Sequence, residues 1–278
     1  MILNVQNFIN AVIWPSDNLD NYWDGRILCD VEAKLSIGLS MSVTGAIVSI
    51  LRQTTIILNI DNVTLSPTSR QRMFKIAFEG TVCVLVPTIM MAVHYVVQSE
   101  RYWILPVTGC TAAFDNNWVT AILMFTPPML LCIPGSVYCI IVIWRIVKQK
   151  KEIASAIAFP GASSASRARF TRLSNLALVL FWLYLPLALY NFLQSCFPGR
   201  YHPFSWSFIH PPDWKDSIYK ISGAPAITLD RWVQIGVGYM CFTFFGPGTE
   251  TIEACKSWVK RVRLGLQEMI PSGVRRES

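Results

Sequence analysis

The feature that most constrains this chain is a series of long stretches that contain no charged residue. They cover residues 35–51, 80–99, 116–144, 173–199 and 232–249. A helix needs about 20 mostly apolar residues to cross about 30 Å of hydrocarbon, and each stretch approaches or exceeds that length. The charged fraction of 15% also lies well below the average of about 25% for soluble domains. The pattern therefore predicts an all-α, polytopic transmembrane helix bundle and excludes a soluble globular fold.

The basic residues of the connecting segments predict how the bundle is oriented. Lys and Arg concentrate after the second, fourth and last spans, and the alternate loops hold far fewer of them. Short cytosolic loops carry an excess of Lys and Arg, so the richer set is expected in the cytosol. The formal net charge of +7 is then a signal for membrane topology and does not indicate a nucleic-acid partner. The expected topology therefore has the C-terminus in the cytosol.

The spans are expected at about 34–58, 74–97, 119–144, 173–196 and 226–249, preceded by a partial span at 1–14. Residues 251–278 are expected to form a cytosolic tail, where apolar positions from Ile252 to Ile270 recur at helical spacing opposite basic residues. Such an amphipathic helix is typical of a surface segment on an anionic membrane leaflet. Counting back from a cytosolic C-terminus, the partial span is the second of seven. A six-span protein with both ends inside fits the same pattern.

Cysteine placement suggests one covalent link on the exterior face. Cys29 precedes the first full span and Cys110 lies in the next exterior loop, so both fall in an oxidising compartment. A bridge between them would hold that loop over the mouth of the bundle. Cys196 lies near the same surface and is a third candidate for pairing.

Other functional classes are tested by the residues that their chemistry requires. The three histidines, His94, His202 and His210, lack the paired spacing of a metal site, and no nucleophile-elbow motif is present, so no enzyme and no cofactor are predicted. A channel or transporter of unrelated type is the alternative function. It would need several ionisable groups along a midplane pathway. Only Arg52 and Glu79 qualify, both near the cytosolic face, where they are also close enough to pair.

Several motifs resemble one family of receptors over residues 8 to about 250. The stretch from Phe8 to Pro15 and the string from Leu28 to Gly38, with its Cys-Asp-x-x-x-Lys-Leu-x-Ile-Gly pattern, are similar to the second and third spans of fungal mating-pheromone receptors of the a-factor-receptor type. The third-span Arg, the second exterior loop and the last two spans are matched by the following residues: Leu51-Arg52-Gln53, Gly109-Cys110, Phe170-Thr171-Arg172-Leu173, Arg231-Trp232 and Phe244-Phe245-Gly246.

The resemblance implies a seven-span, G-protein-coupled receptor, and because the match starts in the second span, the chain is expected to lack the first. It also implies a farnesylated peptide pheromone as ligand and a heterotrimeric G protein as partner. Because charge inside a membrane is costly, Arg52 and Glu79 are expected to act in the signalling switch. Ligand contacts are expected in the outer halves of the spans and the loop above them, at His94, Tyr95, Trp103, Tyr190 and Asn191. Prolines inside the spans, among them Pro87, Pro127 and Pro186, are expected to free backbone groups and to permit bending.

Overall fold

Helices dominate the computed structural model, which describes residues 2–18, 22–58, 68–148, 164–197, 202–222, 229–245, 256–258 and 261. The main helices are α1 (Ile2–Ile13), α2 (Leu28–Ile57), α3 (Ser69–Val97), α4 (Trp118–Lys148), α5 (Ser164–Cys196), the short α6 (Trp206–Ile209) and α7 (Leu229–Phe245). Within the described residues, four helical stretches are long and apolar enough to cross a membrane, namely α2, α3, α4 and Thr171–Cys196 of α5. Apart from residues 256–258 and 261, the predicted tail helix lies outside the described residues.

The helices extend beyond the uncharged stretches of the sequence. The first full span was expected to begin near residue 34, but α2 begins at Leu28 and so includes Asp30, Glu32 and Lys34. The helix continues through these charged residues because they find partners in the protein: Asp30 pairs with Arg101, and Lys34 contacts His94 and Gln98. The end of an uncharged run therefore does not mark the end of the helix.

Helix α2 lies at the centre of the bundle and packs against α3, α4 and α5. Its approach to α3 is close at Gly45, where an added Cβ would lie 2.3 Å from the Val82 carbonyl oxygen. Small residues that permit such backbone contact are typical of helix packing in membranes. The largest part of the helical core joins α2, α4 and α5 through the buried side chains of Ile47, Leu51, Cys139, Leu176, Ala177, Leu180 and Phe181.

Two of the helices widen into a π turn just before a proline. The π turns span Thr81–Leu85 in α3, before Pro87, and Ala121–Phe125 in α4, before Pro127. Proline lacks an N–H group, so the carbonyl four residues earlier loses its usual helical donor. In α3 that carbonyl belongs to Cys83, and the Ser42 hydroxyl of α2 donates a hydrogen bond to it at 2.9 Å. Helices α4 and α5 continue as α-helix through Pro134 and Pro186.

A small three-stranded sheet covers one end of the bundle. Strand β1 (Tyr102–Leu105) pairs antiparallel with β2 (Gly109–Thr111) and parallel with β3 (Ile218–Lys220), in the order β2-β1-β3. The sequence reading did not anticipate these strands, because each has only three or four residues and no turn motif marks them. The sheet joins the segment after α3 to the segment before α7. Its end of the bundle is called the capped end below, and the other is the opposite end.

Candidate functional site

The three-stranded sheet, called the cap below, packs on a buried core at the start of α2. Trp14, Cys29, Ala33, Tyr102, Ile104 and Cys110 form one cluster of buried side chains. Cys29 and Cys110 are joined by a disulfide, with the two Sγ atoms 2.02 Å apart, which ties the β1–β2 hairpin to α2. The hairpin also receives support from α1, because the Val107 amide donates to the Trp14 carbonyl at 2.8 Å.

Ion pairs reinforce the same cap. The Arg101 guanidinium donates to both oxygens of Asp30, at 2.8 and 2.6 Å, and this carboxylate raises the pKa of Arg101. Lys220 of β3 lies 2.9 Å from the Asp24 carboxylate and lowers the pKa of that group through their hydrogen bond. A carboxyl with a lowered pKa is stabilised in its charged form, so this contribution is present at neutral pH and is lost as the pH falls through the lowered pKa.

Directly beneath the hairpin lies a set of polar side chains between α1, α2 and α7, which we name the polar cluster. It comprises Gln6, Asn7 and Asn10 of α1, Glu32 and Ser36 of α2, and Arg231 and Gln234 of α7. The Gln6 amide donates to the Ser36 hydroxyl at 3.1 Å, and the Asn7 amide donates to Gln234 at 3.0 Å. These bonds connect three helices that are distant in sequence.

Asn10 and Arg231 attach the polar cluster to the hairpin above it. The Asn10 amide donates to the Thr108 carbonyl at 3.1 Å, and Arg231 Nη2 donates to the Cys110 carbonyl at 2.8 Å. Gly109 lies against Asn10 at a φ of +71°, and an added Cβ there would come within 2.4 Å of Asn10 Cγ. Only glycine adopts this conformation readily and leaves room for Asn10. The hairpin and the polar cluster are therefore one structural unit.

The five residues that the sequence suggested as ligand contacts do not form one site. His94 is fully buried. Its Nδ1 lies 2.8 Å from Lys34 Nζ and its Nε2 lies 2.9 Å from the Ala113 carbonyl oxygen. An ammonium can only donate, so His94 Nδ1 accepts, while Nε2 carries the hydrogen that it donates to Ala113. His94 thus connects α2 to the segment after the hairpin.

The other four suggested contacts lie in three different places. Tyr95 packs in an aromatic group with Trp206, His210 and Trp214, which holds the segment around α6 against the end of α3. Trp103 lies in β1 and donates through Nε1 to Glu100 at 2.9 Å. Tyr190 and Asn191 are exposed on α5, where the Tyr190 hydroxyl accepts from Gln194. Ligand contact at any of the five residues stays a prediction.

At the opposite end, Arg52 of α2 packs between two aromatic rings of α3. Its guanidinium carbon lies 5.2 Å from the ring centre of Phe74 and 4.8 Å from that of Phe78. Such cation–π contacts contribute about 0.5–2 kcal/mol, depending on how much water is excluded. Arg52 Nη1 is buried and has no hydrogen-bond partner among the described residues. The arginine is therefore held by α3 but keeps one unused donor.

Glu79 was expected to pair with Arg52, but its carboxylate has other partners. Its carboxylate accepts from the Gln53 amide at 3.2 Å and lies 3.9 Å from Lys75 Nζ, one helical turn earlier. The pairing of Arg52 with Glu79 that the sequence suggested is not among the ion pairs of the described residues. Gln53 and Lys75 occupy the carboxylate, while the neighbouring aromatic rings hold the guanidinium.

Two further contacts connect the ends of α2, α4 and α5 near Arg52. Arg145 Nη1 donates to the Thr55 carbonyl in the last turn of α2. The hydroxyls of Thr54 and Ser174 lie 2.9 Å apart, and both side chains are buried. A positive charge at a helix C-terminus is favourable because the last carbonyls lack helical donors. These contacts hold the three helices together at the opposite end.

Comparison with known proteins connects this arrangement to one family. The profile of the family described as Pheromone A receptor matches residues 1–264. The chain belongs to this family. It is therefore a multi-pass membrane protein of the pheromone receptor type, as its sequence motifs predicted.

Its curated relatives are fungal pheromone receptors. The pheromone a factor receptor of Saccharomyces cerevisiae is 23% identical over 96% of this chain and 55% of its own length. The pheromone B alpha 1 receptor of Schizophyllum commune is 25% identical over 96% of this chain and 42% of its own length. The pheromone M-factor receptor of Schizosaccharomyces pombe is 23% identical over 94% of this chain and 67% of its own length. The chain thus spans about half the length of several relatives. No solved structure matches it significantly.

The sequence reading missed the charged members of the polar cluster in this receptor. Glu32 lies just before the span expected at 34–58, and Arg231 lies inside the one expected at 226–249, but neither was singled out as a site residue. The structure places both within helices and buries both side chains. One signal was available, since a string of charges at Asp30, Glu32 and Lys34 runs directly into an apolar helix. Charge at such a position is costly unless it has a role.

Proposed function

We propose that this chain forms the helix bundle of a G-protein-coupled receptor for a lipidated peptide mating pheromone in the fungal plasma membrane. The family match over residues 1–264 is the observation that carries the proposal. Relatives named as receptors for a factor and M-factor support a pheromone as ligand. A farnesylated cysteine on that peptide is what the resemblance of the sequence motifs implies.

In this proposal the capped end faces the cell exterior and the opposite end, with the C-terminus, faces the cytosol. The loop charges support this orientation, because the basic segments adjoin the opposite end. A disulfide at the capped end agrees with an oxidising exterior. The basic helix ends at the opposite end then provide the docking region for a heterotrimeric G protein.

The helix contacts suggest how the two ends communicate. Helix α2 runs unbroken for 30 residues from the disulfide to the turn beyond Arg52, so its two ends move together. The π turn at Thr81–Leu85 gives α3 a point where its hydrogen bonding is already weakened. Pheromone binding under the cap would favour a second arrangement of these helices. The contacts of Arg52 and Arg145 at the opposite end would then loosen and admit the G protein.

The proposal is tested by expressing the receptor at its natural length in yeast cells that lack their own pheromone receptor and carry a pheromone-responsive reporter. Lipophilic extract from cells of the opposite mating type of the source fungus serves as the probe. We expect a saturable reporter response that extract from cells of the same mating type does not produce. Receptor at the cell surface with no response to either extract would contradict the proposal.

A further inference from the structure

Unpaired polar atoms are concentrated in the polar cluster and its neighbour Asn4. Six buried side-chain atoms in the described part of the chain have no hydrogen-bond partner, and four of them lie here. They are Asn4 Oδ1, Asn10 Oδ1, Glu32 Oε2 and Arg231 Nε. Buried polar groups are normally paired, and a native structure that leaves several unpaired in one place needs an explanation.

The side chains that carry these atoms are thoroughly buried. The exposed fraction is 0% for Asn10, 3% for Arg231 and 6% for Glu32. In the ligand-free arrangement, water at the receptor surface does not reach most of them, so a ligand gains access only when the β1–β2 hairpin above the cluster shifts. Leaving such groups unpaired is costly, and the cost is higher for the charged ones. A ligand that pairs with them would recover this free energy on binding.

Arg231 is already oriented for such a ligand. One terminal nitrogen of its guanidinium donates to Asn7 Oδ1 and the other donates to the Cys110 carbonyl, which fixes the plane of the group. Its remaining donor, Nε, lies 3.7 Å from the Asp230 carboxylate, beyond hydrogen-bond distance. A fixed guanidinium loses little conformational entropy when a ligand accepts from it.

The unpaired atoms have the donor and acceptor character that a peptide backbone complements. Three of them are oxygens that accept hydrogen bonds, and the fourth is a cationic N–H that donates. A peptide group presents an N–H donor beside a carbonyl acceptor. A lipid tail could satisfy neither kind of atom, and a metal cation would be repelled by Arg231. The chemistry of the cluster therefore favours a short stretch of peptide.

We infer that the polar cluster binds backbone amide groups of the pheromone peptide, under the β1–β2 hairpin, with Glu32 accepting and Arg231 donating. This inference rests on the proposed function and specifies which part of the ligand is recognised at the capped end. The hairpin bonds to Asn10 and Arg231, so a ligand at the cluster would also contact the cap. The lipid part of the pheromone then lies elsewhere along the bundle.

The test compares Glu32→Gln with wild type in the full-length receptor and the reporter cells described above. A dilution series of extract from the opposite mating type gives the half-maximal dose and the maximal response. The substitution keeps the size of the side chain but removes the charge and one accepting oxygen. We expect the half-maximal dose to rise about tenfold to a hundredfold, as the loss of a hydrogen bond to a charged group predicts. The maximal response should be retained at saturating dose.

The matched control is Asp216→Asn, which removes an exterior carboxylate whose side chain is 76% exposed and pairs only weakly with Arg26. It should leave the half-maximal dose within about twofold of wild type. Asn4→Ala, which removes an unpaired oxygen from a partly exposed residue, provides a second variant if Glu32→Gln fails to reach the surface. Its half-maximal dose should rise about threefold to tenfold.

A dose–response curve that matches wild type for Glu32→Gln, or for Asn4→Ala where that variant is used, would overturn the inference. It would show a cluster filled by internal water only. A wild-type receptor that ignores the extract would instead contradict the proposed function, so the two failures are distinguishable. The thermal stability of the ligand-free receptor distinguishes a role of Glu32 in ligand binding from a role in folding. A binding role leaves the melting temperature of Glu32→Gln at or above that of wild type, because an unpaired buried charge is removed, whereas a structural role lowers it.

Discussion

The position of the Arg52 guanidinium is set by its aromatic neighbours and not by an ion pair. The sequence located it near the end of a long apolar helix, and the structure places it in the last turns of α2. Its contact with Phe74 and Phe78 could not be predicted, because both rings belong to a helix whose rotation is set by tertiary packing. Aromatic rings hold a cation without neutralising it, so Arg52 remains able to form a stronger contact elsewhere.

We predict that Arg52→Ala lowers maximal G-protein activation at least about tenfold, which corresponds to about 1.4 kcal/mol of lost stabilisation of the signalling state. Surface density and the half-maximal pheromone dose for any residual response should stay near wild type. Arg52→Lys should recover only part of the signal, since an ammonium lacks the planar fork of a guanidinium. The measurement is pheromone-stimulated reporter output at equal surface density.

Arg26→Ala is the control for this prediction, because Arg26 is an exposed arginine at the capped end, outside the docking region proposed for the G protein. It should signal like wild type. Normal signalling by Arg52→Ala would show that Arg52 only anchors α2 at the membrane surface, and the switch would have to be sought in other residues.

At the scale of elements, the hydrophobic pattern predicted the membrane helices, and the prolines account for their departures from regular α-helix. Apolar runs and prolines together indicate bent membrane helices, and both are visible in the sequence. At Pro87, the freed carbonyl finds a hydrogen-bond donor on another helix. Ser42 provides that partner for Cys83. A sequence alone does not pair two residues that are 41 positions apart, so this contact could not have been read from it.

We predict that Ser42→Ala lowers the melting temperature of the purified receptor by about 2 °C, since a hydrogen bond between membrane helices contributes about 0.6–1.7 kcal/mol. The same substitution should lower the melting temperature much less in a Pro87→Ala background, because alanine restores the N–H donor that the Cys83 carbonyl lacks. Thermal unfolding of the two single variants and the double variant in detergent gives the coupling between them. Additive effects would show that the Ser42 hydroxyl does not serve the carbonyl freed by Pro87.

The sheet illustrates a different limit of sequence reading. Its strands are three or four residues long, and β3 lies more than 100 residues after β1. Neither alternation nor a hairpin motif therefore predicts the parallel pairing of these two strands. The segment before α7 is rich in aromatic residues, among them Trp206 and Trp214. The structure adds that this segment is fastened to the end of α3 through His210, which donates to the Tyr95 carbonyl at 2.9 Å.

At the scale of the whole molecule, the two ends of the bundle differ in how they are held. The capped end is fixed by a disulfide, a bidentate ion pair and a three-stranded sheet. Among the described residues, the opposite end is held by non-covalent contacts, such as the hydrogen bond of Arg145 to the Thr55 carbonyl and that between the hydroxyls of Thr54 and Ser174. A receptor needs a stable surface where the ligand is recognised and contacts that can be exchanged where the signal leaves. The distribution of the contacts agrees with that division.

The disulfide gives a direct check on the capped end. Peptide mapping of the receptor from native membranes, without reduction, should recover the peptide of Cys29 linked to that of Cys110. Cys196, which is a free thiol in the structure, should be recovered alkylated and serves as the internal control. Recovery of Cys29 and Cys110 as alkylated thiols would contradict both the bridge and the exterior assignment of this end.

Nucleotide exchange in isolated membranes tests most directly the claim that this receptor activates a G protein in response to pheromone. The assay depends only on the receptor, the G protein and the pheromone. Membranes with the full-length receptor and a fungal heterotrimeric G protein are exposed to extract from cells of the opposite mating type, and binding of a non-hydrolysable GTP analogue is followed. We predict a dose-dependent, saturable rise in binding that is absent without the receptor and strongly reduced in Arg52→Ala. Binding that stays at its basal level across the dose series, with receptor and G protein both present, would contradict the account.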